Sequence, residues 1–314
     1  MGRVSIEPPD VQHPSDNGRH RVAPWRGLVR VARPRHWVKN FLVFAAPGAA
    51  GVLFHGNVAA HAAGAFAVFC LAASGTYFVN DTLDIEADRQ HSVKRLRPVA
   101  AGLVPVRLAV AVGTCLMVAS IGLAWLLGGS HLALVVAIYV AVTTAYSVRL
   151  KHEPVVDLAC VSTGFVLRAI AGGVATGVPL SNWFIIVSSF GSLLIVTGKR
   201  SAEHLELGEQ RGVHRPSLSE YPEAFLRSVR LLAASVTVTA YCLWAFERSA
   251  QGGHGHHPIW FELSIAPFVI AILHVELRFA RGLGGAPEEL ALRDRTLQVL
   301  GLIWVTVVAV GIYA

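Results

Sequence analysis

Charged residues are scarce in this sequence, and their scarcity argues against a soluble fold. Asp, Glu, Lys and Arg make up 15% of the 314 residues, whereas soluble domains usually carry about 25%. Hydrophobic residues reach 54% and gather in blocks of about 20, the length that crosses about 30 Å of hydrocarbon as a helix. Buried helices of a soluble core would be shorter and would show polar faces. The composition therefore predicts an all-α, polytopic membrane protein.

Cysteine is also rare, and the N-terminus lacks an apolar segment. The four cysteines fall within apolar blocks without metal-ligand spacing, so we expect neither a cysteine metal site nor a structural disulfide. Residues 1–26 are polar, basic and contain proline, without the apolar core of a cleavable signal peptide. We interpret them as a flexible cytoplasmic arm that precedes a transmembrane domain at 27–314.

The apolar blocks predict nine transmembrane helices. The first is the weakest prediction, because Lys39 and Asn40 lie within its start. The approximate limits are 37–55, 59–79, 106–127, 131–148, 155–177, 181–198, 223–246, 258–280 and 296–314.

Positive charge is distributed unevenly around these spans, and the imbalance predicts their orientation. Of the 27 Lys and Arg, 25 lie before the first span or in the loops and helix ends on that same side. Short loops rich in Lys and Arg stay in the cytoplasm, so we expect a cytoplasmic N-terminus in the inner (plasma) membrane. The long polar loops, 81–105 and 199–222, then share the cytoplasmic face, where we expect the active site. Topology and anionic lipid explain the net charge of +7 without a nucleic-acid partner.

A cluster of acids follows the second span and forms the first candidate site. The i, i+3, i+7 spacing places three carboxylates on one helical face, where they repel each other and are costly to desolvate. A magnesium ion relieves both problems, because it takes oxygen ligands from one or two carboxylates and from substrate phosphates. A solvated acidic helix end is the alternative. The cluster consists of Asn80, Asp81, Asp84 and Asp88.

Basic residues follow this cluster within one loop. Arg supplies paired donors and Lys a point charge, which suit diphosphate oxygens. Ordinary loop cations that fix the topology are the alternative interpretation. The candidates are Lys94, Arg95 and Arg97, of which we favour Arg95 as a phosphate ligand.

The acidic pattern resembles the UbiA-type prenyltransferase superfamily. The carriers are Asn80-Asp81-x-x-Asp84-x-x-x-Asp88 after a second span and the basic Arg-Pro segment behind it. Tyr146 and Lys151, between the fourth and fifth predicted spans, match the superfamily as well. The resemblance implies a transmembrane catalytic domain at 27–314 in which the acids hold magnesium on a diphosphate, Lys151 reaches a phosphate oxygen and Tyr146 binds substrate.

A second acidic motif, usual in superfamily prenyltransferases, is missing after the sixth span. The sequence there is Gly198-Lys199-Arg200-Ser201-Ala202-Glu203-His204, with two cations beside one carboxylate. One acidic cluster opposite several cations suits two phosphate-bearing substrates, one chelated by magnesium and one bound directly by Lys and Arg. This pattern resembles the phosphoribosyltransferase branch of the superfamily, as does Arg33-Pro-Arg35-His-Trp37-Val-Lys39-Asn40.

The branch resemblance implies a reaction. Phosphoribose would pass from 5-phosphoribosyl-1-diphosphate to decaprenyl (polyprenyl) phosphate, a step toward the arabinose donor of cell-wall arabinogalactan, with Mg²⁺ as cofactor. Asp81, Asp84 and Asp157 are the catalytic candidates, and Asp157 and Glu203 could hold ribose or metal. The phosphate-binding and substrate-binding candidates are Lys39, Asn80, Arg95, Tyr146, Lys151, Arg168, Lys199, Arg200 and Glu203.

Several alternatives stay open at this point. Arg168 lies about 16 Å deeper along its span than Asp157, where it could line a lipid tunnel, bind phosphate or only make structural hydrogen bonds. A prenyltransferase for an aromatic or haem acceptor would keep the superfamily but change the substrates. A transporter would place ionisable residues near the membrane midplane, whereas here they gather at one face. The sequence leaves the oligomeric state open, a homo-oligomer included.

Overall fold

The computed structural model describes residues 24–207, 220–250, 259–285 and 287–313, and every regular element within these ranges is helical. Three of the elements are 3-10 helices, at Pro34–Phe44, Lys94–Leu96 and Leu150–His152. The α-helices are α1 (Pro24–Ala32), α2 (Ala45–Ala49), α3 (Val58–Leu83), α4 (Ile85–Gln90), α5 (Val106–Val148), α6 (Val156–Thr176), α7 (Asn182–Leu207), α8 (Glu223–Ala250), α9 (Ile259–Leu263), α10 (Ile265–Ala280), α11 (Pro287–Arg293) and α12 (Arg295–Tyr313).

Long apolar helices dominate this part of the chain and confirm the membrane class. Seven helical stretches of the described residues are long and apolar enough to cross a membrane, against nine predicted spans. They are α3, α5, α6, α7, α8, the α9–α10 stretch and α12.

A glycine turn inside α5 accounts for part of the difference. Gly128 (φ −141°, ψ 17°) and Gly129 (φ 66°, ψ −160°) leave the helical conformation, and Gly129 has a φ that other residues rarely adopt. Both halves of α5 pack on α3, through Gly113 against Phe78 and through Tyr139 against Phe69. One straight helix of 43 residues would be about 64 Å long and could not do this. The predicted spans 106–127 and 131–148 thus both lie in α5.

The first predicted span does not form the single helix that was expected over 37–55. This part of the chain is the 3-10 helix Pro34–Phe44 followed by the five-residue α2. Asn40 is fully buried and faces polar partners, so this side of the segment packs into the protein, whereas Phe41 on the same 3-10 helix is 60% exposed. The count of nine spans stays a prediction. Residues 1–23 of the predicted arm lie outside the described residues.

The 3-10 helix approaches α6 so closely that a glycine is required. A Cβ at Gly172 would lie 1.9 Å from the carbonyl oxygen of Val43, well inside van der Waals contact. The same region holds the main apolar core, in which α3, both halves of α5 and α6 meet. Its largest buried members are Phe69, Leu132, Tyr139 and Leu167. This core fixes the relative positions of the helix ends that carry the polar candidates.

Asp294 anchors the start of the last helix. Its carboxylate accepts hydrogen bonds from Arg278 Nε at 2.6 Å and from the Leu297 backbone N–H at 3.1 Å, and it lies 3.0 Å from His274 Nε2. These contacts, with His274 foremost, hold the pKa of Asp294 well below its usual range, because they favour the charged carboxylate. Asp294 therefore stays ionised at neutral pH and ties α10 to α12.

Candidate active site

The acidic cluster lies at the junction of two helices and not on one continuous helical face. Helix α3 ends at Leu83, Asp84 forms the connection with φ −91° and ψ 6°, and α4 begins at Ile85. Asp81 and Asp88 are 1% and 3% exposed, whereas Asp84 is half-buried. The expected i, i+3, i+7 helix is interrupted at Asp84, although helical backbone hydrogen bonds continue from the Asp84 N–H to the Asn80 carbonyl and from the Asp88 N–H to the Asp84 carbonyl.

Each of the three acids is paired with a cation from elsewhere in the chain. Arg33 Nη2 lies 2.6 Å from Asp81 Oδ1. Arg97 Nη1 lies 2.7 Å from Asp88 Oδ2 and 3.4 Å from Asp81 Oδ1. Lys151 Nζ donates to Asp84. These ion pairs offset the desolvation of the carboxylates and bring the start of the chain and two loops to one point.

Asn80 completes this first group, as its place in the sequence motif suggested. Its Nδ2 donates to Asp84 Oδ2 at 3.0 Å, across the junction between α3 and α4. The amide therefore orients the least buried of the three carboxylates.

The group fits a magnesium ion that is shared with a substrate better than an all-protein metal cage. Among the described residues, no three His, Cys, Asp or Glu side chains gather as a ligand set. Asp81 Oδ2, however, is buried and has no hydrogen-bond partner, which is rare for a carboxylate oxygen. A metal ion or its water would satisfy that oxygen. Magnesium usually takes one or two carboxylates and completes its shell with water and phosphate.

The cations beside the acids differ from the sequence-based choice. Arg95, the predicted phosphate ligand, is exposed, whereas Arg97 contacts both Asp81 and Asp88. Arg33 was not among the predicted site residues. It also stacks over the ring of Tyr77, with the guanidinium carbon 4.6 Å from the ring centroid. The need of a buried Asp81 for partners is the signal that could have found both arginines.

A second polar group forms around Asp157 at the start of α6. Asp157 is fully buried, and Arg200 Nε and Nη2 lie 2.7 and 2.9 Å from its carboxylate oxygens. Tyr146 donates to Asp157 at 3.1 Å. The buried carboxylate of Asp157 is thus paired with Arg200, and Lys151 pairs with Asp84 of the first group.

Glu203 and Lys199 extend this second group along α7. Glu203 Oε2 lies 2.8 Å from Arg200 Nη1, and Lys199 Nζ lies 3.9 Å from Glu203 Oε1. Arg200 is only 3% exposed, so its guanidinium is committed to carboxylates, whereas Lys199 is 38% exposed at its side chain. Of the two predicted phosphate-binding cations on α7, Lys199 is the more accessible.

One short segment joins the two groups. Tyr146 lies near the end of α5, Lys151 on the 3-10 helix Leu150–His152, and Asp157 in the first turn of α6. Lys151 contacts the first group through Asp84, and Tyr146 and Asp157 belong to the second. Both groups therefore lie at the same end of the helices, as the sequence predicted.

Arg168 belongs to a separate, deeper network. Its donors reach Asn40 Oδ1 at 2.6 Å, the Gly164 carbonyl at 2.6 Å and the Tyr139 hydroxyl at 2.9 Å. It is 6% exposed and joins the 3-10 helix to α5 and α6. These contacts favour the structural interpretation of Arg168. Lys39, a predicted phosphate ligand, is half-buried on the same 3-10 helix.

A cavity of about 290 Å³ lies away from both groups. Its lining comes from the connection after α6 and from the last turns of α8. Asp157 lies in the first turn of α6, at the other end of that helix. Its lining holds fewer charged side chains than either polar group, so we do not assign the active site to this cavity. It is lined by Pro179, Leu180, Ser181, Trp244, Glu247 and Arg248.

Comparisons with known proteins agree with this arrangement of helices. The model of the UbiA prenyltransferase family matches residues 39–289. A protein from Mycolicibacterium smegmatis named decaprenyl-phosphate phosphoribosyltransferase is 44% identical, over 97% of this chain and 99% of its own length. A protein of the same name from Mycobacterium tuberculosis is 48% identical, over 91% and 94%.

Among solved structures, a UbiA homolog from Archaeoglobus fulgidus bound to GPP and Mg²⁺ aligns with a TM-score of 0.67 at 20% identity. The alignment covers 91% of this chain and 98% of that one. At this identity the likeness shows the fold alone. With the family match over most of the chain and relatives of similar length at 44% and 48% identity, the chain belongs to the UbiA prenyltransferase family.

Proposed function

We propose that this chain transfers 5-phosphoribose from 5-phosphoribosyl-1-diphosphate to decaprenyl (polyprenyl) phosphate. The products are decaprenylphosphoryl-5-phosphoribose and diphosphate, and the lipid serves the synthesis of cell-wall arabinan. The observation that carries the proposal is the identity of 44% and 48% to two proteins named decaprenyl-phosphate phosphoribosyltransferase, over nearly the whole of both chains.

The charge balance of the site supports a requirement for Mg²⁺. In the ion pairs of the first group, three carboxylates face three cations. A bound diphosphate adds negative charge that these cations alone do not neutralise, and like charges repel strongly in a partly dehydrated site. A divalent cation supplies the missing positive charge and a Lewis acid for the leaving diphosphate. Its ligands would come from Asn80, Asp81, Asp84 and Asp88.

The remaining cations near the site bind phosphate or hold the carboxylates in position. Arg33 and Arg97 hold the buried carboxylates and present further donors toward phosphate oxygens. Lys151 is placed by Asp84 at the junction between the two groups. Lys39 and Lys199 supply positive charge for the second phosphate-bearing substrate. Arg95 is exposed, so its role is limited to attracting anionic substrates from the edge of the site.

The second group suits the sugar rather than a second metal. Arg200 and Lys199 together balance the charges of Asp157 and Glu203, which lowers the demand for a further cation there. The half-buried Glu203 carboxylate and Tyr146 hydroxyl can accept hydrogen bonds from ribose hydroxyls, while the fully buried Asp157 holds Arg200 and Tyr146 in place. The acceptor phosphate is already ionised at neutral pH, so attack on C1 of the ribose needs no strong general base. Cations that are already in place contribute most to the rate by stabilising the negative charge that develops on the leaving diphosphate.

The proposal includes the placement of the enzyme. We propose nine spans in the inner (plasma) membrane, with the N-terminus and both polar groups on the cytoplasmic side, where phosphoribosyl diphosphate is dissolved. The positive-inside distribution of Lys and Arg supports this orientation. We propose that residues 27–314 form one catalytic domain. A homo-oligomer is compatible with these features.

The test is transfer of label from ribose-labelled phosphoribosyl diphosphate into the lipid phase of membranes that contain the chain. Decaprenyl phosphate is added, and magnesium is either supplied or removed with EDTA. We expect labelled lipid only with magnesium and only in membranes that carry the chain. Label in the lipid phase at equal rates without the chain, or none in any sample, would contradict the proposal.

A further inference from the structure

Val155 adopts an unusual backbone conformation directly before α6. Its φ is 66° and its ψ −47°, close to the rare classic γ-turn. The Val156 N–H donates to the Pro154 carbonyl at 2.7 Å, which closes that turn. A β-branched residue is strained at positive φ, so surrounding contacts must hold the turn in place.

The hydroxyl of Tyr221 provides such a contact. The Val155 N–H donates to Tyr221 Oη at 2.7 Å, across 66 positions in the sequence. Tyr221 is 2% exposed and stacks on Phe225, with ring centroids 5.9 Å apart and planes 6° apart. The hydroxyl is thus carried by a buried ring that packs against neighbouring side chains.

The ring of Tyr221 also belongs to the apolar cluster behind the second polar group. This cluster includes Leu158, the neighbour of Asp157, and Val196, one helical turn before Arg200. Tyr221 therefore shares one buried cluster with the neighbours of both partners in the Asp157–Arg200 pair, while its hydroxyl bonds the turn two residues before Asp157.

We propose that Tyr221 is a positioning residue for the transfer reaction, acting through the Val155 turn to fix Asp157 and, with it, the second polar group. This proposal rests on the proposed function for its activity readout. If the hydroxyl is removed, Val155 can relax to a negative φ, the first turn of α6 shifts, and the carboxylate of Asp157 loses its set position. A shift of this kind lowers kcat even when the substrate still binds.

The decisive variant is Tyr221→Phe, which keeps the ring and removes only the hydroxyl. Tyr241→Phe is the matched control, because Tyr241 is also buried and its hydroxyl bonds Ser264 and Trp304, outside both polar groups. We expect Tyr221→Phe to lower kcat about tenfold, equivalent to about 1.4 kcal/mol. KM for phosphoribosyl diphosphate should change by less than about threefold, and Tyr241→Phe should keep wild-type kcat.

A rescue variant separates positioning from general stability. Glycine adopts positive φ without strain, so Val155→Gly should keep the turn with less help from Tyr221. We expect the kcat of the double variant Tyr221→Phe/Val155→Gly to be at least about threefold higher than that of Tyr221→Phe. A kcat of Tyr221→Phe equal to that of the wild type, or a double variant no better than Tyr221→Phe, overturns the proposal.

Amide hydrogen exchange gives a readout that does not depend on activity. We expect faster exchange in a peptide covering 153–160 for Tyr221→Phe and unchanged exchange for Tyr241→Phe, measured on the full chain in detergent. Unchanged exchange in Tyr221→Phe overturns the role of the hydroxyl. If the wild type transfers no phosphoribose, the proposed function fails, and this exchange measurement still decides whether Tyr221 holds the turn.

Discussion

Asp81 is the residue at which the metal assignment can be tested most sharply, because one of its oxygens is buried without a hydrogen-bond partner. We expect Asp81→Asn and Asp84→Asn each to lower kcat/KM by at least about a hundredfold, about 2.7 kcal/mol. The reason is that each substitution keeps the shape of the side chain but removes the negative charge that a carboxylate ligand brings to a magnesium ion. The measurement is magnesium-dependent transfer of labelled phosphoribose, with folding checked by size-exclusion chromatography in detergent.

Glu86→Gln is the matched control for these two variants. Glu86 lies on the neighbouring α4, and its side chain is 77% exposed and forms an ion pair with Arg89. It should keep activity within about twofold, because exposed ion pairs contribute little. Full activity in a well-folded Asp81→Asn protein would exclude Asp81 as a metal ligand.

Arg97 and Arg95 are two cations of one loop with different surroundings, and they form a natural pair of variants. Arg97 contacts Asp81 and Asp88, so Arg97→Ala leaves two buried carboxylates short of a partner. We expect at least a tenfold loss of kcat/KM and a loss of about 1–3 kcal/mol in stability, since Arg97 is partly exposed.

Arg95→Ala should stay within about twofold of the wild type, because its side chain is exposed. Side-by-side kinetics and thermal unfolding of the two proteins measure the difference. A larger defect in Arg95→Ala than in Arg97→Ala would restore the original sequence-based choice.

These two arginines also illustrate what the sequence could and could not predict at the level of single residues. The acids were predictable, because their spacing and their place at the end of a span have a chemical reason. Which cation meets which acid was not, since Arg33, Arg97 and Lys151 approach from three separate segments. Distances between segments depend on helix packing, and no local pattern encodes them.

At the scale of elements, the approach of the 3-10 helix to α6 makes Gly172 a sensitive position. Gly172→Ala places a methyl group 1.9 Å from the Val43 carbonyl oxygen, so the 3-10 helix must move. We expect a loss of about 1–3 kcal/mol in stability and a lower activity, because Lys39 and Asn40 move with that helix. Thermal unfolding in detergent measures the loss.

Gly122→Ala is the control for this prediction. Gly122 is also a helical glycine, on α5, and a Cβ there would meet nothing within 4 Å. It should leave the unfolding temperature unchanged or raise it slightly, because alanine favours helix over glycine. Equal unfolding temperatures for both variants would mean that the 3-10 helix can move away from the added methyl group without a loss of stability.

The elements themselves were predictable to different degrees. Long apolar runs gave α3, α6, α8 and α12 to within about four residues of the observed limits, because a run of apolar residues in a membrane has few alternatives to a helix. Helix α7 continues to Leu207, well beyond the predicted end at 198. The segment at 37–55 misled the prediction, since its hydropathy resembles a span while buried polar contacts such as Asn40 with Arg168 decide its structure. Similarly, the strained turn at Val155 has no signature in the sequence.

At the scale of the whole molecule, the distribution of loop cations predicts the orientation in the membrane. A reporter fused after Ala314 should report the outside, and one inserted at Arg211 should report the cytoplasm, because 25 of the 27 Lys and Arg lie on one side. Alkaline phosphatase and green fluorescent protein fusions measure the two sides. A cytoplasmic signal after Ala314 would mean an even number of spans.

The central claim is that both substrates carry phosphate and that ribose, not a prenyl group, is transferred. The most direct measurement offers the purified chain two reactions in parallel, each with and without magnesium. One contains ribose-labelled phosphoribosyl diphosphate and decaprenyl phosphate, and the other a labelled prenyl diphosphate and 4-hydroxybenzoate. We predict magnesium-dependent labelling of the lipid phosphate and no prenylated aromatic product. A prenylated aromatic product without phosphoribosyl lipid would contradict the account while leaving the family membership intact.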